Sequence, residues 1–154
     1  MIEMIKVYKK YPNGIVAANG IDVKIEQGDF VYVVGPSGAG KTTFIKMMYR
    51  EERPTSGDIL INGINLATLK NSKVPLLRRQ IGVVFQDFKL LPRLSVYENV
   101  AFALEVIEET PKVIRKKVMD VLELVGLKGK ARMLPTELSG GEQQRVSIAR
   151  SIVN

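Results

Sequence analysis

The residues with the clearest chemical purpose are Gly35-Pro36-Ser37-Gly38-Ala39-Gly40-Lys41-Thr42, followed by Thr43. Their spacing, Gly-x4-Gly-Lys-Thr, is that of a phosphate-binding loop. Glycines let a backbone wrap closely and turn several N–H groups toward one anion. A helix starting at Lys41 adds the positive end of its dipole. Lys41 supplies a mobile cation for the β- and γ-phosphates, and Thr42 supplies a hydroxyl for Mg²⁺, which takes oxygen ligands and keeps most of its waters. The expected ligand is a nucleoside triphosphate with Mg²⁺. This loop alone does not separate ATPases, GTPases and small-molecule kinases.

A second anion-facing feature lies about 100 residues further on, at Leu138-Ser139-Gly140-Gly141-Glu142-Gln143. Two glycines open a helix whose first N–H groups lack intrahelical partners, and Ser139 adds a hydroxyl. Ser139 and Glu142 also fit a capping box; the two roles are compatible.

Positioning these groups requires particular elements. Ile2 to Tyr8 and Ile21 to Glu26 alternate apolar and polar residues and are predicted as half-buried strands, with a turn at Pro12-Asn13-Gly14 between them. Phe30 to Val34 reads as a short buried strand feeding the Gly-rich loop, and Lys41 to about Arg50 as a helix. Pro54 to Gly57 is a turn, Asp58 to Ile61 a strand and Asn62-Gly63 a hairpin turn; Ile81 to Phe85 is a further strand. Beyond Gln86 the pattern becomes helical. Val96 to Val106 has helical spacing, and Lys112 to Val125 lines up Val113, Ile114, Val118, Val121, Leu122 and Val125 behind an N-cap at Thr110 and Pro111. A last helix runs from near Gly141.

Composition narrows the chemistry. Hydrophobic residues make up 45% and charged residues 25% of 154, which suits a folded domain. With neither Cys nor His, the chain has no disulfide, no thiolate nucleophile and no imidazole base. The net charge of +7 comes without an aromatic-interleaved basic stripe, so no nucleic-acid partner is expected. No apolar run is long enough to span a bilayer.

Taken together, the phosphate loop, Gln86 after an apolar run, and Leu138 to Gln143 resemble the ATP-binding-cassette ATPases. The resemblance covers the whole chain in order and spacing. It implies an α/β P-loop NTPase fold with a RecA-like core, a small antiparallel β subdomain and a helical subdomain. On this pattern residues 1–154 are one incomplete cassette domain: 1–86 the β subdomain and the phosphate-loop part of the core, 87–135 the helical subdomain, 136–154 the signature motif and its helix. It implies ATP and Mg²⁺ as cofactors. Tyr11 takes the place of an adenine-stacking aromatic, although a surface Tyr flanking a turn fits the same residue. Gly35, Pro36, Ser37, Gly38, Ala39, Gly40, Lys41, Thr42 and Thr43 cradle phosphate, and Lys41 and Gln86 serve catalysis. Thr42 and Gln86 serve the metal. Ser139, Gly140, Gly141 and Glu142 reach the ATP of a partner subunit in a head-to-tail homodimer.

Val83 to Pro92 and Glu98 to Val106 resemble the cell-division branch of the family more closely than ATPases of lipoprotein release, macrolide export or amino-acid import. That branch implies a peripheral position on the cytoplasmic face of the bacterial membrane, beside an FtsX-like integral membrane protein. The family pattern continues into a strand-ending Asp, a catalytic Glu and a switch His, none of which follows within the sequence. The expectation is therefore a fragment with an exposed apolar edge beside Phe30 to Val34, inactive in hydrolysis by itself.

Overall fold

Met4 and Val7 are three residues apart, an odd step for a strand, yet both are buried. A bulge in the first strand reconciles the two. Strand β1 (Ile2–Lys10) slips register between Met4 and Val7, with Lys6 in the left-handed region at φ 45°. The Lys6 N–H, displaced from the ladder, donates to the Asp22 carboxylate at 2.8 Å. Gly57 faces the bulge at φ 85°, where a Cβ would stand 2.1 Å from the Lys6 carbonyl oxygen; only glycine fits.

The computed structural model describes residues 1–154 and divides them into two compact units, 1–78 and 79–154. In the first unit β1 pairs antiparallel with β2 (Val16–Ile25) and with β3 (Ser56–Ile61), and β3 pairs with β4 (Ile64–Asn65). The sheet order is β2-β1-β3-β4. The turn expected at Pro12 to Gly14 is closed by Tyr11 N–H to the Ile15 carbonyl, 2.8 Å. Asn62 and Gly63, at φ 49° and 80°, form the β3–β4 hairpin turn. Helix α1 (Lys41–Met48) buries Thr43, Phe44 and Met47. Past its end, Arg78 donates to the Tyr49 and Arg50 carbonyls, and buried Arg50 donates to the Leu66 carbonyl at 2.9 Å. Burial holds the Arg50 guanidinium below its ordinary value. A short helix α2 (Val74–Arg78) ends this unit.

The second unit is helical. Helices α3 (Val96–Glu105), α4 (Pro111–Leu124) and α5 (Gly140–Ile152) enclose one apolar core. The core takes Val96, Val100 and Leu104 from α3, Ile114, Val118, Val121 and Leu122 from α4, and Val146 and Ala149 from α5. The i, i+4 spacing on α3 and α4 is what makes one face of each apolar. Ser95 and Glu98 close a full capping box on α3. Pro111 opens α4 as its spacing implies, but Thr110 makes no side-chain capping bond. None of these helices is long and apolar enough to cross a membrane.

Two sequence expectations are corrected. Phe30 to Val34 is not a strand and is not buried: Phe30 is 81% and Val34 85% exposed. Ile81 to Phe85 is likewise outside any strand. Apolar, β-rich composition favours extended backbone, but a buried strand exists only where neighbouring strands accept its N–H and C=O groups. The sheet present is the antiparallel one, and neither segment joins it. β2 in turn starts five residues earlier than its alternation suggests, because pairing with β1 extends it through Val16 to Gly20.

Candidate functional site

The phosphate loop is an exposed turn between Gly35 and Ala39 that feeds α1. Gly38 and Gly40 hold φ of 81° and 86°, and Ala39 N–H donates to the Pro36 carbonyl at 3.2 Å. Gly40 is the tightest position. A Cβ there would lie 2.1 Å from the Ala17 carbonyl oxygen, so the loop rests directly on the β2 backbone. Helix α1 has no acidic residue in its first turn, which leaves the positive end of its dipole unopposed.

Lys41 curls back over this loop. Its ammonium donates to the Gly35 and Pro36 carbonyls, both at 2.7 Å. The cation is therefore held at the loop's mouth by neutral acceptors. A phosphate, with full charge, is the stronger acceptor and can take it over. Thr42 is exposed in the first turn of α1. Thr43 is buried and has another use: its hydroxyl shares a hydrogen bond with the Tyr11 hydroxyl, 3.0 Å. Tyr11 is thereby tied to the helix that follows the loop. One side of its ring carries the Lys9 ammonium, 4.8 Å from the centroid. Lys9 is fixed there by Glu52 at 2.7 Å and the Arg53 carbonyl at 2.8 Å.

In the second unit Gln86 and Asp87 form an exposed turn. Phe88 and Lys89 follow, both left-handed, at φ 55° and 45°. The signature residues Ser139, Gly140 and Gly141 are exposed at the start of α5, and nothing lies within 4 Å of where a Cβ on Gly140 or Gly141 would stand. The expected capping box is present. Glu142 accepts the Ser139 N–H and hydroxyl, each at 3.0 Å, on one carboxylate oxygen. Its other oxygen accepts the Lys130 ammonium at 2.6 Å. Lys130 first, then Ser139, pulls the Glu142 carboxyl down to about 2. Gln143 ties α5 to the preceding loop through the Pro135 and Leu138 carbonyls, 3.0 and 3.2 Å.

Three further residues order this unit. Asn99 is fully buried on α3, and its amide joins the Leu91, Leu94 and Ser95 carbonyls and the Leu91 N–H. Arg150 on α5 grips the Phe88 and Lys89 carbonyls at 2.8 Å each. Lys130 is the third. Sequence spacing singles out none of them; a buried-face Asn within an apolar helix is the one local hint.

The donor set fits a nucleotide with Mg²⁺. First-turn N–H groups of α1, the Lys41 ammonium and the Thr42 hydroxyl lie together at one helix start, a set suited to phosphate oxygens and to the oxygen ligation that Mg²⁺ prefers. No cluster of three or more His, Cys, Asp or Glu stands elsewhere as a competing metal site.

Comparison with known proteins places the chain among relatives. The ABC transporter family profile matches residues 18–154. The chain is 71% identical over 154 residues to the cell division ATP-binding protein FtsE of Bacillus subtilis, covering all of this chain and 68% of that protein. FtsE of Mycobacterium tuberculosis is 52% identical, with all of this chain and 67% of that protein covered. The methionine import ATP-binding protein MetN of Helicobacter hepaticus is 45% identical, with 44% of its length covered. Among solved structures, the ATP-binding cassette MJ0796 as a dimer in a post-hydrolysis state bound to ADP and Pi superimposes with a TM-score of 0.90 at 35% identity, over 100% of this chain and 70% of that one.

Proposed function

This chain belongs to the ABC transporter family of ATP-binding-cassette ATPases, and from that premise we propose that residues 1–154 grip MgATP on the 35–42 loop and offer Ser139 to Gly141 to the nucleotide of a second subunit. Its fold is that of the family: the P-loop part of a RecA-like core, a small antiparallel sheet and a helical portion. The observation that carries the reading is Lys41, poised on the Gly35 and Pro36 carbonyls at the N-terminus of α1. Gly38 to Thr42 and the α1 dipole surround the β- and γ-phosphates, Thr42 and Gln86 hold the Mg²⁺, and Tyr11 carries the adenine. Bound Mg²⁺ would neutralise phosphate charge; the chain's own contribution is positioning and further neutralisation.

Water activation is not assigned to these residues. Glu142, the carboxylate of the signature, is saturated by Lys130 and Ser139 and too acidic to accept a proton at neutral pH. We therefore expect residues 1–154 by themselves to bind ATP without turning it over. Identity of 71% to an FtsE, against 45% to a MetN, supports a place in an FtsE–FtsX-like complex of bacterial cell division. In that reading the chain sits at the cytoplasmic face of the membrane, against an integral membrane partner, and forms a homodimer around ATP. MJ0796, solved as a dimer, supports that arrangement. A transport ATPase of the import type is the second reading, supported by the MetN similarity.

The test is Lys41→Ala, titrated with a fluorescent ATP analogue. Loss of a charge-assisted phosphate contact predicts affinity weaker by at least about tenfold. Equal affinity in variant and parent would remove the assignment.

A further inference from the structure

Helix α5 does two things at once. It begins at the signature residues Gly140 and Gly141, and near its other end Arg150 holds the turn that follows Gln86. Ten residues separate Gly140 from Arg150, about 15 Å of rigid helix at the standard rise. The grip is bidentate: one guanidinium nitrogen donates to the Phe88 carbonyl and the other to the Lys89 carbonyl, both 2.8 Å. Arg150 makes no ion pair, and burial holds its guanidinium below the ordinary value. A half-buried cation has thus been spent on two neutral carbonyls.

Those carbonyls belong to an unusual turn. Phe88 and Lys89 are consecutive non-glycine residues at φ 55° and 45°, a conformation that a Cβ opposes. Local bonds support it: Phe88 N–H to the Phe85 carbonyl at 3.0 Å, Lys89 N–H to the Asp87 carbonyl at 2.6 Å, and Lys89 to the Asp87 carboxylate at 2.6 Å. These bonds lie within the turn and fix its shape but not its place. Arg150 ties it to α5 through two hydrogen bonds. Asn99 on α3 separately clasps Leu91, Leu94 and Ser95. The segment after Gln86 is therefore anchored on two different helices, with Gln86 and Asp87 as its exposed tip.

We propose that Arg150 is a positioning residue that locks the left-handed turn beyond Gln86 to the signature helix, so that Gln86 and Ser139 to Gly141 move as one body. This rests on the reading above, in which both serve ATP. A rigid link of this kind makes closure of the signature over a partner's nucleotide and placement of Gln86 a single event. The expected consequence is selective. Nucleotide binding on the 35–42 loop does not need Arg150; turnover does.

A control at Lys89 separates this role from simple support of the turn's shape. Glycine takes the left-handed conformation without strain, so Lys89→Gly eases the turn's shape but does not restore its tie to α5. In the protein expressed from its full reading frame, Arg150→Ala and Arg150→Lys should each keep affinity for a fluorescent ATP analogue within about twofold and lower kcat by about tenfold or more. Adding Lys89→Gly to either should leave kcat about tenfold or more below the parent, because the link to α5 is still missing. Should Arg150→Ala not fold, the Arg150→Lys pair with and without Lys89→Gly decides. Parental kcat in a folded Arg150 variant, or recovery of kcat on adding Lys89→Gly, overturns the proposal while leaving the nucleotide reading intact. A parent that neither binds the analogue nor hydrolyses ATP sinks both.

Discussion

The Lys130 ammonium lies 2.6 Å from one carboxylate oxygen of Glu142, while the other oxygen accepts the Ser139 N–H and hydroxyl at 3.0 Å each. An acidic residue in the signature's first turn thus has its charge compensated from the loop at 128–130, beside the N–H groups proposed to meet phosphate. Its folded-state carboxyl titrates near 2, below the ordinary value of 4.5. The sign follows directly. A depressed carboxylate contributes stability that is full above its unfolded pKa and is lost as pH falls through the folded one, here between about 4.5 and 2. Carboxyl NMR titration should find the Glu142 midpoint near 2 and should move it upward in Lys130→Met. A parental midpoint at the ordinary glutamate value would mean that the pair is not formed.

Gly141→Asp tests the signature in trans. No atom lies within 4 Å of where its Cβ would stand, and an acidic residue in the first turn suits the helix dipole, so α5 should remain folded. A carboxylate facing a partner's γ-phosphate at about 4 Å is repelled by roughly 4 kcal/mol at an effective dielectric constant of 20. Each subunit should still bind ATP, but sedimentation with a non-hydrolysable analogue should show monomers. Parental dimerisation in the variant would count against the shared-nucleotide arrangement.

Phe88 and Leu91 remain half-buried, whereas Leu90 between them packs on the helical core. Exposed Lys89 and Arg93 flank these two partly exposed apolar side chains in the sequence, a composition suited to protein docking. An amphipathic cytoplasmic helix of an FtsX-like partner is the proposed occupant. Phe88→Ala with Leu91→Ser should abolish co-purification with that partner and leave nucleotide affinity within about twofold, because neither side chain belongs to the phosphate loop. Unchanged recruitment, or joint loss of ATP binding, would be the contrary result.

Ser147 is fully buried in α5 and its hydroxyl has no hydrogen-bond partner. An unsatisfied buried hydroxyl costs about 1–3 kcal/mol, and alanine is also the better helix former. Ser147→Ala should raise stability by about 1 kcal/mol, seen as a melting temperature higher by roughly 2–4 °C. A lower melting temperature would show that the hydroxyl has a partner after all.

The groups proposed to grip phosphate are legible in the residue order because their physics is local. Gly38, Gly40, Lys41 and Thr42 need only their own backbone freedom, charge and the start of one helix. The same holds for Ser139 with Glu142, for Asn62-Gly63 and for Pro111 at the head of α4, where every partner lies within a few residues. The Ser95–Glu98 capping box carries an equally local signal, a Ser three residues before a Glu at the head of an apolar run. Tertiary structure decided what depends on distant neighbours. Whether Phe30 to Val34 is a strand is settled by what accepts its hydrogen bonds, not by its side chains, and here it joins no sheet. The β1 bulge at Lys6 needs Asp22 and Gly57 to hold it. Arg150 meets Phe88 and Lys89 across about sixty residues of sequence, a separation at which spacing carries no geometric information. Only the packing of α5 in the helical unit brings that guanidinium to two carbonyls whose direction is set by a left-handed turn.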